Sequence, residues 1–116
     1  MIERLYYNHG KSFEDFKILY ITDDKKHVLV KNISTKSKNK YSFGTYAEFK
    51  SIYSFPVNQS SLTKAECLRT LKRHIEINNK YPIEQEIDNK RNNILNKMIQ
   101  NLKKDKVQEW NIYLKD

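Results

Sequence analysis

"FKILYITDDKKHVLVKNI", residues Phe16 to Ile33, decides how this chain is read. Phe16–Thr22 and His27–Ile33 are dominated by β-branched, aromatic and other apolar residues, which suit a pleated, half-buried surface. The polar "DDKK" between them is turn material, so two strands joined by a tight turn are expected. Downstream, "KYSFGTY" supplies a third strand and makes 34–39 the tip of a second hairpin in an antiparallel meander. That tip belongs to "STKSKNKYSF", with Lys36, Lys38 and Lys40 at every second position and Tyr41 and Phe43 directly after.

Beyond the meander the period changes from two to that of a helix. "TYAE" (Thr45 to Glu48) has capping-box spacing and predicts a short helix with Tyr46, Phe49 and Tyr53 on one face, closed by Pro56. "PVNQSS" reads as a connector, and Thr63 with Glu66 repeats the capping spacing. A helix from about Thr63 to Asn79 follows, with Ala65, Leu68, Leu71 and Ile75 as its apolar stripe and Arg69, Lys72, Arg73 and Lys80 mostly opposite. "NNKYP" interrupts the pattern. Pro82 suits a first helical position, and Glu84, Glu86 and Asp88 place negative charge near the positive end of a helix dipole. A second long helix is predicted from Pro82 to Lys104 or beyond, its inner face formed by Ile83, Ile87, Ile94, Met98 and Leu102. Val107, Trp110 and Leu114 extend that face or form a short final helix, with Trp110 and Tyr113 expected to close the core. The fold class is α+β: a small meander of about three strands with a short helix (1–55), then a helical hairpin (62–116), in one domain.

At 116 residues the chain is long enough for a real core without a disulfide or metal staple. One cysteine, Cys67, excludes an internal disulfide, and "MIERLYYNHG" contains no apolar signal core, so a cytoplasmic, non-membrane protein is expected. The formal net charge is +8 and the pI about 9.5, favouring anionic partners. Each half carries a surplus of four (10 basic minus 6 acidic before Ser61, then 12 minus 8), yet Lys25 to Lys40 holds six lysines and no carboxylate.

Catalytic and metal signatures are weak. Cys67, His9, His27 and His74 would have to supply zinc ligands, but no C-x-x-C or H-x₃-H pair pre-assembles a tetrahedral site, so neither metal nor cofactor is expected. Asp23 and Asp24 fall in a turn, and "NHGKSF" has too few glycines to cradle phosphates. Metal-independent RNase chemistry needs only a histidine or lysine base and cationic stabilisers, which are present. Small basic mRNA-cleaving toxins share the size and pI, but they generally look like helices first and sheet last, and this chain runs the other way.

The reading is a non-enzymatic binding protein for nucleic acid or a nucleic-acid-handling complex. Its candidate contacts are Lys31, Lys36, Lys38 and Lys40 for phosphates, Tyr41 for stacking, and Arg69, Lys72 and Arg73 as a second basic patch. In profile the chain is similar to small phage or mobile-element proteins that block defence nucleases, anti-CRISPR proteins among them; no residue motif carries the likeness and it transfers no site. An RNase-type toxin and a DNA- or RNA-binding regulator are the alternatives. A homodimer through the helices is compatible with this arrangement.

Overall fold

In a computed structural model the described residues are 1–7, 10–34, 40–51 and 62–105. Four strands, β1 (Ile2–Tyr7), β2 (Ser12–Ile21), β3 (His27–Asn32) and β4 (Lys40–Thr45), form one antiparallel sheet in sequential order. The helices are α1 (Tyr46–Lys50), α2 (Lys64–Lys80) and α3 (Gln85–Lys104). The α+β class holds, with four strands where the sequence predicted about three. β1 is the addition. It is an edge strand in which Leu5 is buried while Ile2 and Tyr6 are exposed, so its sequence carries no clear alternation. It pairs with β2 over six residues, and within that ladder Arg4 stands opposite Asp15, whose carboxylate accepts two guanidinium hydrogen bonds at 2.7 and 3.1 Å.

The "DDKK" turn forms as read. Thr22 N–H donates to the His27 carbonyl at 3.1 Å, Asp24 accepts from Lys26 N–H at 3.0 Å, and Lys25 takes the left-handed conformation the turn requires (φ 58°). On β3, Val28 and Val30 point to one face of the sheet and Leu29 and Lys31 to the other, and all four are buried. Covered on both faces, the strand reads as a continuous run. In β2, Ile18 pairs with Val30 and Tyr20 with Leu29, which makes Leu19 the extra residue of a bulge.

Two cores follow from the two faces. Leu5, Phe16, Val28, Val30 and Phe49 gather beneath α1, with the Phe16 and Phe49 rings edge to face at 5.3 Å. On the other face Leu29, Tyr41 and Phe43 meet Cys67 and Leu71 of α2 and Met98, Ile99 and Leu102 of α3. Both predicted caps are present: Thr45 and Thr63 side chains accept from Glu48 N–H and Glu66 N–H, each at 3.2 Å. Lys64 reaches the Lys103 carbonyl while Asn78 donates to Asn92, so α2 and α3 run antiparallel.

The helix faces differ in part from the predicted stripes. Ala65 is exposed and Cys67 takes the inward position beside Leu71. Ile83 is 84% and Ile87 42% exposed, because Asp88 turns inward instead and accepts from Ile83 and Glu84 N–H at 2.9 and 3.3 Å. That choice satisfies donors at the start of α3 and rotates Ile87, one position earlier, toward solvent. Tyr53, Pro56, Val107, Trp110, Tyr113 and Leu114 lie outside the described residues.

Candidate functional site

The residues singled out as nucleic-acid contacts separate into three groups. Lys36 and Lys38 lie outside the described residues, and Lys40 sits half-buried at the start of β4. Lys31 and Tyr41 turn inward, as alternation on β3 and β4 demands. Tyr41 is fully buried, so its ring has no free face for a base, and Lys31 is 8% exposed. Both meet Asp105 just past α3: the Tyr41 hydroxyl donates to its carboxylate at 2.6 Å and the Lys31 ammonium at 3.0 Å. Lys17 stands 3.9 Å away, and Lys64 donates to the Asp105 carbonyl. Burial acts to raise the Asp105 carboxyl, but the hydrogen bonds from Tyr41 and Lys31 outweigh it, and the group lies below the usual aspartate range.

Arg69, Lys72 and Arg73 form the third group, exposed together on the outer side of α2. At 100° per residue they span about 100° of the helix, with Glu76 within the same arc and Lys80 one turn further on. None of the three makes an ion pair or hydrogen bond among the described residues. Several carboxylates, in contrast, are consumed internally: Asp15 by Arg4, Glu3 by Tyr46 and Lys50, Asp105 by Lys31 and Tyr41. The outer face of α2 therefore keeps its positive charge.

A cleft of about 360 Å³ between the sheet and the helical hairpin was not foreseen. His27, Phe43, Thr45 and Glu48 line one wall; His74 and Asn78 of α2 and Arg91, Ile94, Leu95 and Met98 of α3 line the other. Backbone pairing of His27 with Thr45 holds the sheet wall together. The His74 ring packs edge-on against Phe43 at 5.6 Å. His27 Nδ1 is buried with no hydrogen-bond partner, alone in this among side-chain nitrogens and oxygens of the described residues. A buried polar atom left unpaired is costly. The signal in the sequence was Arg91: it stands four and seven residues before Leu95 and Met98, on the inward line of α3 where an apolar residue is expected.

Cys67 is fully buried beside Leu71, and burial pushes its thiol up to about 12, which removes the thiolate that nucleophilic chemistry needs. Among the described residues no group of three or more His, Cys, Asp or Glu side chains is placed to hold a metal ion, and no helix is long and apolar enough to cross a membrane. The chain matches no protein-family model, and no curated protein or solved structure is significantly similar to it.

Proposed function

We propose that this chain is a small binding protein that docks on nucleic acid, or on a complex that handles it, through its cationic surface. The observation that carries the reading is Arg69, Lys72 and Arg73 exposed along one side of α2 without a carboxylate partner among the described residues. A face of this kind attracts a polyanion by releasing its counterions. Lys36, Lys38 and Lys40 add to the positive charge of the chain. Occupying the nucleic-acid channel of a defence nuclease, as an anti-CRISPR-like inhibitor does, is one form this activity takes, and it requires no chemistry from the inhibitor. Binding to duplex DNA and single-stranded RNA at several salt concentrations tests the reading. Replacing Arg69, Lys72 and Arg73 together by glutamine is expected to flatten the slope of log affinity against log salt by roughly 0.9 per lost contact on duplex DNA and ~0.7 on single strands. Unchanged slopes on both nucleic acids would refute direct docking on nucleic acid through this face and leave only a protein surface of such a complex as its target.

One observation favours a second reading. His27, His74 and Arg91 line a single cleft, and two imidazoles with a guanidinium are groups from which metal-independent phosphodiester cleavage can be built. Under that reading the protein is an RNase-type toxin whose expression arrests growth, and purified protein cuts RNA in the presence of chelator. His74→Ala is expected to abolish both effects; intact RNA and normal growth with the unmodified chain reject it.

A further inference from the structure

We propose that the cleft between the sheet and the helical hairpin binds one nucleoside monophosphate, free or as the terminal nucleotide of a strand. The inference rests on the cleft alone, and it stands whether the outer face of α2 binds nucleic acid or not, and whether or not a phosphodiester is cut.

Arg91 gives the anion its place. It shares the inward line of α3 with half-buried Leu95 and buried Met98, yet it lines open space and makes no hydrogen bond or ion pair among the described residues. A guanidinium offers a planar fork of donors that matches two phosphate oxygens. His74 stands on the same wall with its ring held against Phe43, adding an imidazole donor. On the opposite wall stand Glu48, from the start of α1, and His27 of β3. Glu48 repels phosphate and accepts from hydroxyls, so the two walls orient a ligand that is anionic at one end and hydroxylated at the other. Half-buried Ile94 and Leu95 supply the apolar surface a flat base would lie on. The volume, about 360 Å³, lies at the lower end of the roughly 300–1,000 Å³ range of small-molecule sites, which fits one nucleotide and not a longer strand. Two histidines, an unpaired arginine and a carboxylate around an apolar slot offer the groups a nucleotide site needs.

The test is titration of the full chain with adenosine 5′-monophosphate, adenosine and inorganic phosphate, followed by calorimetry and by the imidazole resonances of His27 and His74. Adenosine monophosphate is expected to move both histidines and to bind at least about tenfold more tightly than adenosine, as a charge-assisted contact implies. Arg91→Gln is expected to remove that advantage and leave adenosine binding unchanged, while Arg91→Lys retains part of it. Arg91 is exposed and unbonded among the described residues, so both variants are expected to keep the far-ultraviolet circular dichroism of the parent. A 5′-phosphorylated tetranucleotide that binds more tightly than the mononucleotide assigns a strand end; one that binds more weakly assigns the free nucleotide. Equal affinity for adenosine and its monophosphate, or histidine resonances unmoved at millimolar monophosphate, would overturn the proposal. The glutamine variant of Arg69, Lys72 and Arg73 is expected to bind the mononucleotide normally; loss of binding there would move the site to α2 and overturn it equally.

Discussion

Replacing Asp105 by alanine is the most informative perturbation of this fold. Its carboxylate is 7% exposed and the Lys31 side chain 10% exposed, so the pair is an internal one and not a surface ion pair. Two hydrogen bonds of 2.6 and 3.0 Å converge on one carboxylate oxygen. Removing the anion while leaving its buried cation costs about 3–5 kcal/mol, a large part of the roughly 5–15 kcal/mol that holds a domain folded. In a chain of this length that corresponds to a melting point lower by about 10–20 °C. Urea unfolding followed by circular dichroism measures the loss. Adding Lys31→Met to Asp105→Ala is expected to restore part of it, because the mismatched cation goes with the anion. Tyr41→Phe, which removes one donor to the carboxylate, is expected to cost about 1.5–3 kcal/mol. A loss below about 1 kcal/mol for Asp105→Ala, or no recovery in the double variant, would show that the carboxylate behaves as an ordinary surface group and would refute the reasoning.

Three further outcomes are expected. The Asp105, Asp15 and Glu3 carboxyls are all held below their usual values; a depressed folded pKa contributes stability that is complete above the unfolded value near 4 and is lost as pH falls through the folded one. Urea midpoints are thus expected to stay level from pH 7 to 5 and fall below about 4, with a shallower fall in Asp105→Asn; a pH-independent midpoint in the unmodified chain would contradict this. Leu71→Ala and Met98→Ala, at positions 0% and 2% exposed, are each expected to cost about 2–5 kcal/mol, and near-neutral effects in urea titrations would mean the helix faces are misplaced. A disulfide reagent is expected to leave Cys67 unlabelled in native buffer and to label it through the urea transition, whereas immediate stoichiometric labelling would show the thiol to be accessible.

Elements with strong local signals were legible in the sequence. β2, β3 and β4 carried β-branched and aromatic runs with turn residues between them, and Thr45 and Thr63 announced their helices through cap spacing that the hydrogen bonds bear out. β1 was not legible, because an edge strand with only Leu5 among its described side chains buried shows no period, and its place is set by backbone pairing with β2. Ile83 and Ile87 misled for a related reason: apolar spacing on α3 could not reveal that Asp88 takes the inward position to satisfy backbone donors. The cleft was the least legible feature. His27 and His74 come from opposite halves of the chain and line one cleft only once the helical hairpin folds back onto the sheet, although Arg91 on an apolar line was a visible warning. Lys31 and Tyr41, read as contacts for a partner, belong to the tie at Asp105 because a strand of period two sends alternate residues inward.

The same tie gives the molecule a direction of mechanical strength. Tension applied at Asp105 is shared at once with Lys31 on β3, Tyr41 on β4 and Lys64 on α2, so these attachments must yield together before α3 can peel away. Tension applied at Met1 acts on β1, whose ladder to β2 can open one pair at a time from its Ile2 end. A molecular motor drawing this protein in from the β1 side would meet a zipper; one that gripped it at Asp105 would meet a lock.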